Sequence, residues 1–264
     1  MLRLILSTDW VANHDNIMER LCEDVRAERS GRILLVPEQI SHDTERELCR
    51  LAGDTASRYG EVLSFTRLAS RIFAITGGAA RQTMDGGGRI IAMAAAVEQL
   101  RPRLKAYAAA SAKPEFLTGL VDAVDECKSC CVTAAGLLAA SARTEGALAQ
   151  KLEELSLLLE GYNAICANGR LDPRDRMTKL LEQMESCDFA KTHAFYIDGF
   201  GDFTAQELAV LAHLLESGAD VTVTLCCDAP GSTLQGCDIA GETARQLLRL
   251  AEKEQKTVRI SHPA

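Results

Sequence analysis

The 264-residue chain carries a formal net charge of −8 with 47% hydrophobic and 25% charged residues, a balance that excludes collagen, coiled-coil and wholly disordered chains. No run of about 18 uncharged apolar residues occurs, and the opening MLRLIL lacks the length and flanks of a secretory leader, so a cytoplasmic protein with no membrane contact is expected. The acidic balance also disfavours a freestanding, tightly DNA-binding domain, whose affinity comes from clustered Lys and Arg set against phosphates.

Along the chain, residues 2–6 form a short apolar run, Ile17, Leu21 and Val25 recur at helical spacing, and the run at 33–36 is stopped by Pro37. Strand, helix, strand is the implied order. Ser41 is placed to cap a helix carrying Leu48 and Leu51, residues 62–65 make a third strand, and Leu68, Ile72 and Phe73 mark a further helix. Such alternation predicts an α/β fold with a parallel sheet. The glycines Gly77, Gly78 and Gly86 to Gly88 then mark a boundary, and residues 77–189 carry no strand signal. Ala- and Leu-rich stretches at 90–100, 116–124, 134–140 and 148–165 predict helices, and Asp172-Pro173 reads as an N-cap followed by proline at the first helical position. An all-α insertion over 77–189 is therefore expected within an α/β domain made of 1–76 and 190–264.

The α/β pattern resumes with a strand at 194–197 that ends at Asp198 and the loop Gly199-Phe200-Gly201-Asp202. Thr204 and Glu207 have capping-box spacing, with Phe203 and Leu208 placed to staple the turn. Residues 221–225 alternate as a strand does, a helix follows around 244–250, and 258–260 supplies a last strand.

In a parallel sheet the loops after the strands converge on one crevice. Its contents would include Ser7, Thr8, Glu38, Gln39, Ser41, Thr66, Arg67, Asp198, Phe200 and Asp228. A nucleotide-hydrolysing site needs glycines after the first strand, then Lys and Ser or Thr. The segment from Ser7 to His14 has no glycine and no lysine, and the acids Asp9 and Asp15 would repel a triphosphate. Asp198 ends its strand as a Mg²⁺-binding acid would, but glycine follows it; a loop-organising or helix-capping carboxylate is the competing reading. Cys127 and Cys130 share CxxC spacing, yet no second pair or clustered His completes a zinc site, and the ten cysteines are expected to be reduced thiols. The five histidines form no H-x-x-x-H or Ser/His/Asp pattern, so nucleophilic catalysis gains no support. The stretch Ser64-Phe65-Thr66-Arg67 sets a ring, hydroxyls and a guanidinium at a strand-to-helix junction, the parts with which single strands are bound; a core Phe beside a surface Arg is the alternative. Between residues 58 and 105, eight basic residues, Arg81 among them, face three acidic ones, so this stretch is locally basic.

Three segments together resemble one family. Val36-Pro37-Glu38-Gln39 is similar to its VPEQ element, Ser64-Phe65-Thr66-Arg67-Leu68-Ala69 to its SFSRLA element, and Asp198-Gly199-Phe200 with Phe203-Thr204 to its DGF-xx-FT element. The family is AddB/RexB, the B subunit of AddAB-type ATP-dependent helicase/nucleases that resect double-strand breaks for homologous recombination. The resemblance implies the amino-terminal head of a much longer subunit, with a RecA-like (P-loop NTPase-like) domain 1A, helices on both faces of its sheet, and a 1B-type helical insertion. It implies an AddA/RexA-type partner subunit that unwinds DNA, and a role for this head in recognising Chi in single-stranded DNA. The implied DNA contacts are Gln39, Ser41, Phe65, Thr66, Arg67, Phe200 and Phe203. No catalytic, nucleotide-binding or metal-binding residue is expected in this stretch and no cofactor, since the family's Mg and 4Fe-4S cluster belong to its distant nuclease region. Two departures stand out: relatives often keep a phosphate loop where Ser7 to His14 has none, and Ser70 replaces a large aromatic found in some relatives. An interaction scaffold docking the A subunit without touching DNA is the rival expectation, and a small-molecule enzyme built on Asp198 a third.

Overall fold

The computed structural model describes residues 1–77, 82–108 and 113–263, so Gly78 of the expected boundary and Arg81 of the basic stretch lie outside the described residues. Six strands form one sheet: β1 (Leu2–Leu6), β2 (Arg32–Leu35), β3 (Gly60–Leu63), β4 (Ala194–Ile197), β5 (Asp220–Leu225) and β6 (Val258–Ser261). Their spatial order is β3-β2-β4-β5-β1-β6 and every pairing is parallel. The helices described are α1 (Trp10–Arg26), α2 (Ser41–Ala52), α3 (Phe65–Thr76), α4 (Gly86–Leu100), α5 (Pro114–Ser129), α6 (Ala134–Ser141), α7 (Gly146–Asn168), α8 (Arg176–Glu185), α9 (Phe189–Thr192), α10 (Ala205–Glu216) and α11 (Asp238–Lys253).

Continuous apolar strands are what a sheet covered on both faces requires. In β2, Ile33 and Leu35 enter the core shared with α3, α8, α10 and α11, while Leu34 joins Ile17, Leu21 and Leu48 of α1 and α2 on the opposite face. Each such side chain, taken fully out of water, contributes roughly 1.5–3 kcal/mol. This is the doubly covered α/β architecture expected, consistent with a RecA-like fold.

Contacts divide the chain into two compact units, one holding the sheet with α1 to α3 and the chain from Met177 onward, the other holding α4 to α7 and ending at Arg176. Residues 177–189, counted above with the insertion, pack instead with the α/β unit. Leu180 and Met184 of α8 and Phe189 of α9 are buried in the same core as Leu35 and Ile197, because their apolar stripe covers one face of the sheet. The helical unit has its own core around Met93, Val97, Val124, Leu158 and Tyr162. Within it, the fully buried Asp172 carboxylate accepts from Tyr162 Oη at 2.8 Å, Lys128 Nζ at 3.1 Å and the Arg174 amide at 2.9 Å, and Arg89 Nε stands 3.2 Å away. Burial alone would raise this carboxyl's pKa; the Arg174 amide and the Lys128 charge hold it below the usual range. As its spacing suggested, Asp172 caps a turn that begins with proline, here a 3₁₀ turn, Pro173–Asp175.

Two local expectations shift. The third strand ends at Leu63, and Ser64 serves as N-cap of α3, its hydroxyl accepting from the Arg67 amide at 3.2 Å. Phe65 thereby becomes the first helical residue and turns into the core. Ser41 is not a cap but the first residue of α2, donating its hydroxyl to the Glu38 carbonyl at 3.0 Å. A 3₁₀ turn, Glu38–Ile40, leads directly into that helix, leaving no extended residue for the cap.

Candidate functional site

From β2 the chain runs on to β3 at one edge, whereas from its neighbour β4 it runs on to β5 on the other side, so the connections diverge between β2 and β4. The crevice at the carboxyl ends beside such a divergence is where open α/β sheets bind ligands. A cavity of about 490 Å³ opens there, lined among others by Trp10, Asn13, His14, Glu47, Asp198 and Phe200.

The amino terminus of α1 is the element that cradles phosphates in nucleotide-binding sheets. Here Asp9 is its N-cap, and its carboxylate accepts from the amides of Val11 at 2.8 Å and Ala12 at 3.4 Å. A carboxylate therefore already occupies the positive end of the helix. One turn on, Asn13 gives both amide protons to backbone carbonyls, Ser7 at 3.2 Å and Leu225 at 3.0 Å, tying α1 to the ends of β1 and β5. Its Oδ1, facing away from those bonds, has no hydrogen-bond partner among the described residues, although the side chain is only 3% exposed.

His14 stands between two carboxylates. Its Nδ1 lies 2.6 Å from Asp198 Oδ2 and its Nε2 3.1 Å from Glu47 Oε2. The hydrogen bond to Asp198 outweighs the opposing effect of burial and, with Glu47, lifts the imidazole from 6.5 to about 9. At neutral pH it is an imidazolium with both protons engaged, which leaves no lone pair for general-base chemistry. Asp198, 5% exposed, also accepts from the Thr224 hydroxyl of β5. Its loop-organising reading thus has a concrete form, a buried carboxylate joining α1, β4 and β5. Among the described residues no group of three or more His, Cys, Asp or Glu is placed to hold a metal ion. All ten cysteines are free thiols; Cys127 is buried and Cys130 and Cys131 are exposed at the end of α5.

The residues singled out for single-strand contact lie beside this crevice without sharing one cavity. The segments after β2, β3 and β4 are knitted together, since Ser64 Oγ donates to Glu38 and the Phe65 ring meets Phe200 edge-on at 5.6 Å. Phe200 in turn lies 5.1 Å from Phe203. Phe65 and Phe203 are buried, leaving Phe200 as the half-exposed ring of the three. A base stacks only on an accessible face, and the buried Phe65 and Phe203 behind Phe200 offer none. Gln39 and Thr66 are exposed and Ser41 is buried. Arg67 pairs with Glu45 at 3.3 Å and lines a separate cavity of about 360 Å³ at the β3 edge, together with Arg71. Within the locally basic stretch Arg71 also pairs with Glu61, Arg89 with Asp125 and Arg101 with Glu98, so that with Arg67 four of its eight basic residues face a carboxylate. Gly199 sets the crevice wall: its φ is +79°, and a Cβ there would come within 3.2 Å of Pro37 and Ile40.

Sequence reasoning missed the places of His14, Glu47, Asn13 and Trp10 in this crevice. His14 and Asp198 are 184 positions apart and share no spacing motif. Only the convergence of the loops after β1 and β4 could have paired them.

A family profile described as "ADDB, N-terminal" matches residues 12–263. Among curated proteins, the B subunit of an ATP-dependent helicase/deoxyribonuclease from Thermoanaerobacter sp. (strain X514) is 34% identical over 209 residues, covering 78% of this chain and 18% of that relative. The protein of the same name from Desulforudis audaxviator (strain MP104C) is 31% identical over 271 aligned positions, 99% of this chain and 23% of its own length. That of Clostridium novyi (strain NT) is 28% identical, with 94% and 22% covered. The chain spans less than a quarter of the length of these relatives.

Proposed function

The chain belongs to the AddB amino-terminal family, and on that footing we propose that it is the non-hydrolysing, helicase-like head of a helicase/deoxyribonuclease, reading single-stranded DNA, including Chi, while an A-type subunit drives unwinding in the cytoplasm. The observation that carries this reading is the self-occupied phosphate end of α1. Asp9 caps the amides that a phosphate would need, and the acid at the end of β4 is bonded to His14 instead of being open to a metal-bound nucleotide. Beside it, Phe200, Gln39, Thr66 and Arg67 form a rim reaching solvent at the ends of three strands. A ring for stacking and a guanidinium for phosphate are the sequence-tolerant parts of a single-strand path.

Fluorescence anisotropy of a labelled oligonucleotide tests the proposal. Binding is expected at low salt and to weaken as salt rises, because a phosphate contact releases counterions. Phe200→Ala should weaken it by roughly 1–3 kcal/mol, the range for one stacked base. Arg67→Ala should weaken it further, whereas Glu45→Gln, which removes the competing carboxylate, should strengthen it. An oligonucleotide affinity indifferent to all three changes is the result that overturns this path. The rival reading, a scaffold whose acidic surface and helical insertion dock the A subunit, draws on the net charge of −8, and is favoured by an absence of oligonucleotide binding combined with substitutions in the insertion that abolish assembly.

A further inference from the structure

The crevice at the end of β1 holds features that the strand path does not use. Three carboxylates, Asp43, Glu47 and Asp198, line it against one imidazolium, His14, while Arg50, which is not among the lining residues, stands 3.8 Å from Glu47 Oε1. Such a balance repels phosphate and attracts a cation. Asn13 adds an acceptor whose orientation is settled, since its two amide protons are already given to the Ser7 and Leu225 carbonyls and its buried Oδ1 has no partner among the described residues. Trp10, 70% exposed at the first position of α1, adds an uncovered indole on the same cavity. A ligand meeting all three must be cationic, rich in N–H donors and flat enough to lie on an aromatic ring. An ammonium meets the first two, whereas the planar guanidinium meets all three.

We propose that this crevice is the dock for an arginine side chain presented by a protein partner, with Asn13 Oδ1 and the carboxylates of α2 accepting its N–H groups and Trp10 covering its face. Asp43 and Glu47 are one helical turn apart on α2, so both can converge on one guanidinium. The cavity of about 490 Å³ exceeds what one side chain needs, leaving room for the peptide that carries it. The dock is independent of the DNA path except for Phe200, which lines its outer wall.

Trp10 is the chain's single tryptophan, so its emission reports directly on the site. The test titrates the whole chain with a blocked tripeptide, acetyl-Gly-Arg-Gly-amide, and with its lysine and citrulline counterparts. A saturable change in Trp10 emission is expected with the arginine peptide, with binding at least about threefold weaker for lysine and weaker still for neutral citrulline. Asp43→Asn should weaken the arginine peptide about three- to fivefold while leaving oligonucleotide affinity at its original value. Asn13→Leu should abolish the response; Asp43 lies on the exposed face of α2 and tests the dock even if loss of the Asn13 latch impairs folding. No saturable change, an equal response to all three peptides, or indifference to Asp43→Asn overturns the proposal. So does an oligonucleotide that moves Trp10 emission more strongly than the arginine peptide, which would give the crevice to nucleic acid. Loss of oligonucleotide binding in Phe200→Ala alone bears on the DNA path and leaves the dock standing.

Discussion

His14 shows how one side chain ties three elements together around a buried strand-end carboxylate. Its imidazolium offsets a buried carboxylate that would otherwise be costly, and it links α1 to α2 and to the end of β4. Because its pKa is raised from 6.5 to about 9 on folding, the stabilisation is fully present below about pH 6.5 and is lost as pH climbs through 9. Chemical denaturation across that window should show stability falling by about 3 kcal/mol. His14→Gln should flatten the dependence, and a slope unchanged in that variant would assign it to another group. Asp198, by contrast, was visible in the sequence as a strand-end carboxylate, and only its bonds to His14 and Thr224 distinguish an organising role from a metal-binding one.

At the scale of elements, end chemistry was more legible than end position. The Thr204 and Glu207 spacing forms the reciprocal capping box it suggested, Thr204 accepting from the Glu207 amide at 3.3 Å and Glu207 accepting from the Thr204 amide at 2.8 Å. Thr204→Ala should cost about 1 kcal/mol, read as a lowered denaturation midpoint with an unchanged slope. Ser64 and Asp9 are caps of the same kind, missed because serine or aspartate before an apolar run is equally compatible with a strand that continues or a loop that follows. Ending β3 early turns Phe65 from a crevice ring into a core residue and leaves Phe200 as the accessible ring.

At the scale of the whole molecule, two cores mean two sites at which stability can be lost. Asp172 gathers Arg89, Lys128 and Tyr162 within the helical unit. Asp172→Ala removes one of the two carboxylates beside each cation, since Asp125 still faces Arg89 and Asp175 still faces Lys128, and leaves the buried Tyr162 hydroxyl without its acceptor, a change expected to cost about 1–3 kcal/mol. Trp10 belongs to the α/β unit, so its fluorescence follows that unit while circular dichroism follows both. In the variant the circular dichroism transition should therefore begin at lower denaturant than the fluorescence transition. Coincident transitions, shifted together, would show instead that the two units unfold as one.

Periodicity determined the α/β class and the parallel sheet, because both rest on local patterns of apolar residues, glycine and proline. The three short motifs likewise pointed to the family without any contact being known. Tertiary structure alone decided that 177–189 completes the sheet's cover, that Arg67 is paired with Glu45, and that His14 meets Asp198. Those outcomes depend on which surfaces and charges meet after the chain has closed over long sequence separations, and no local pattern encodes a partner that far away.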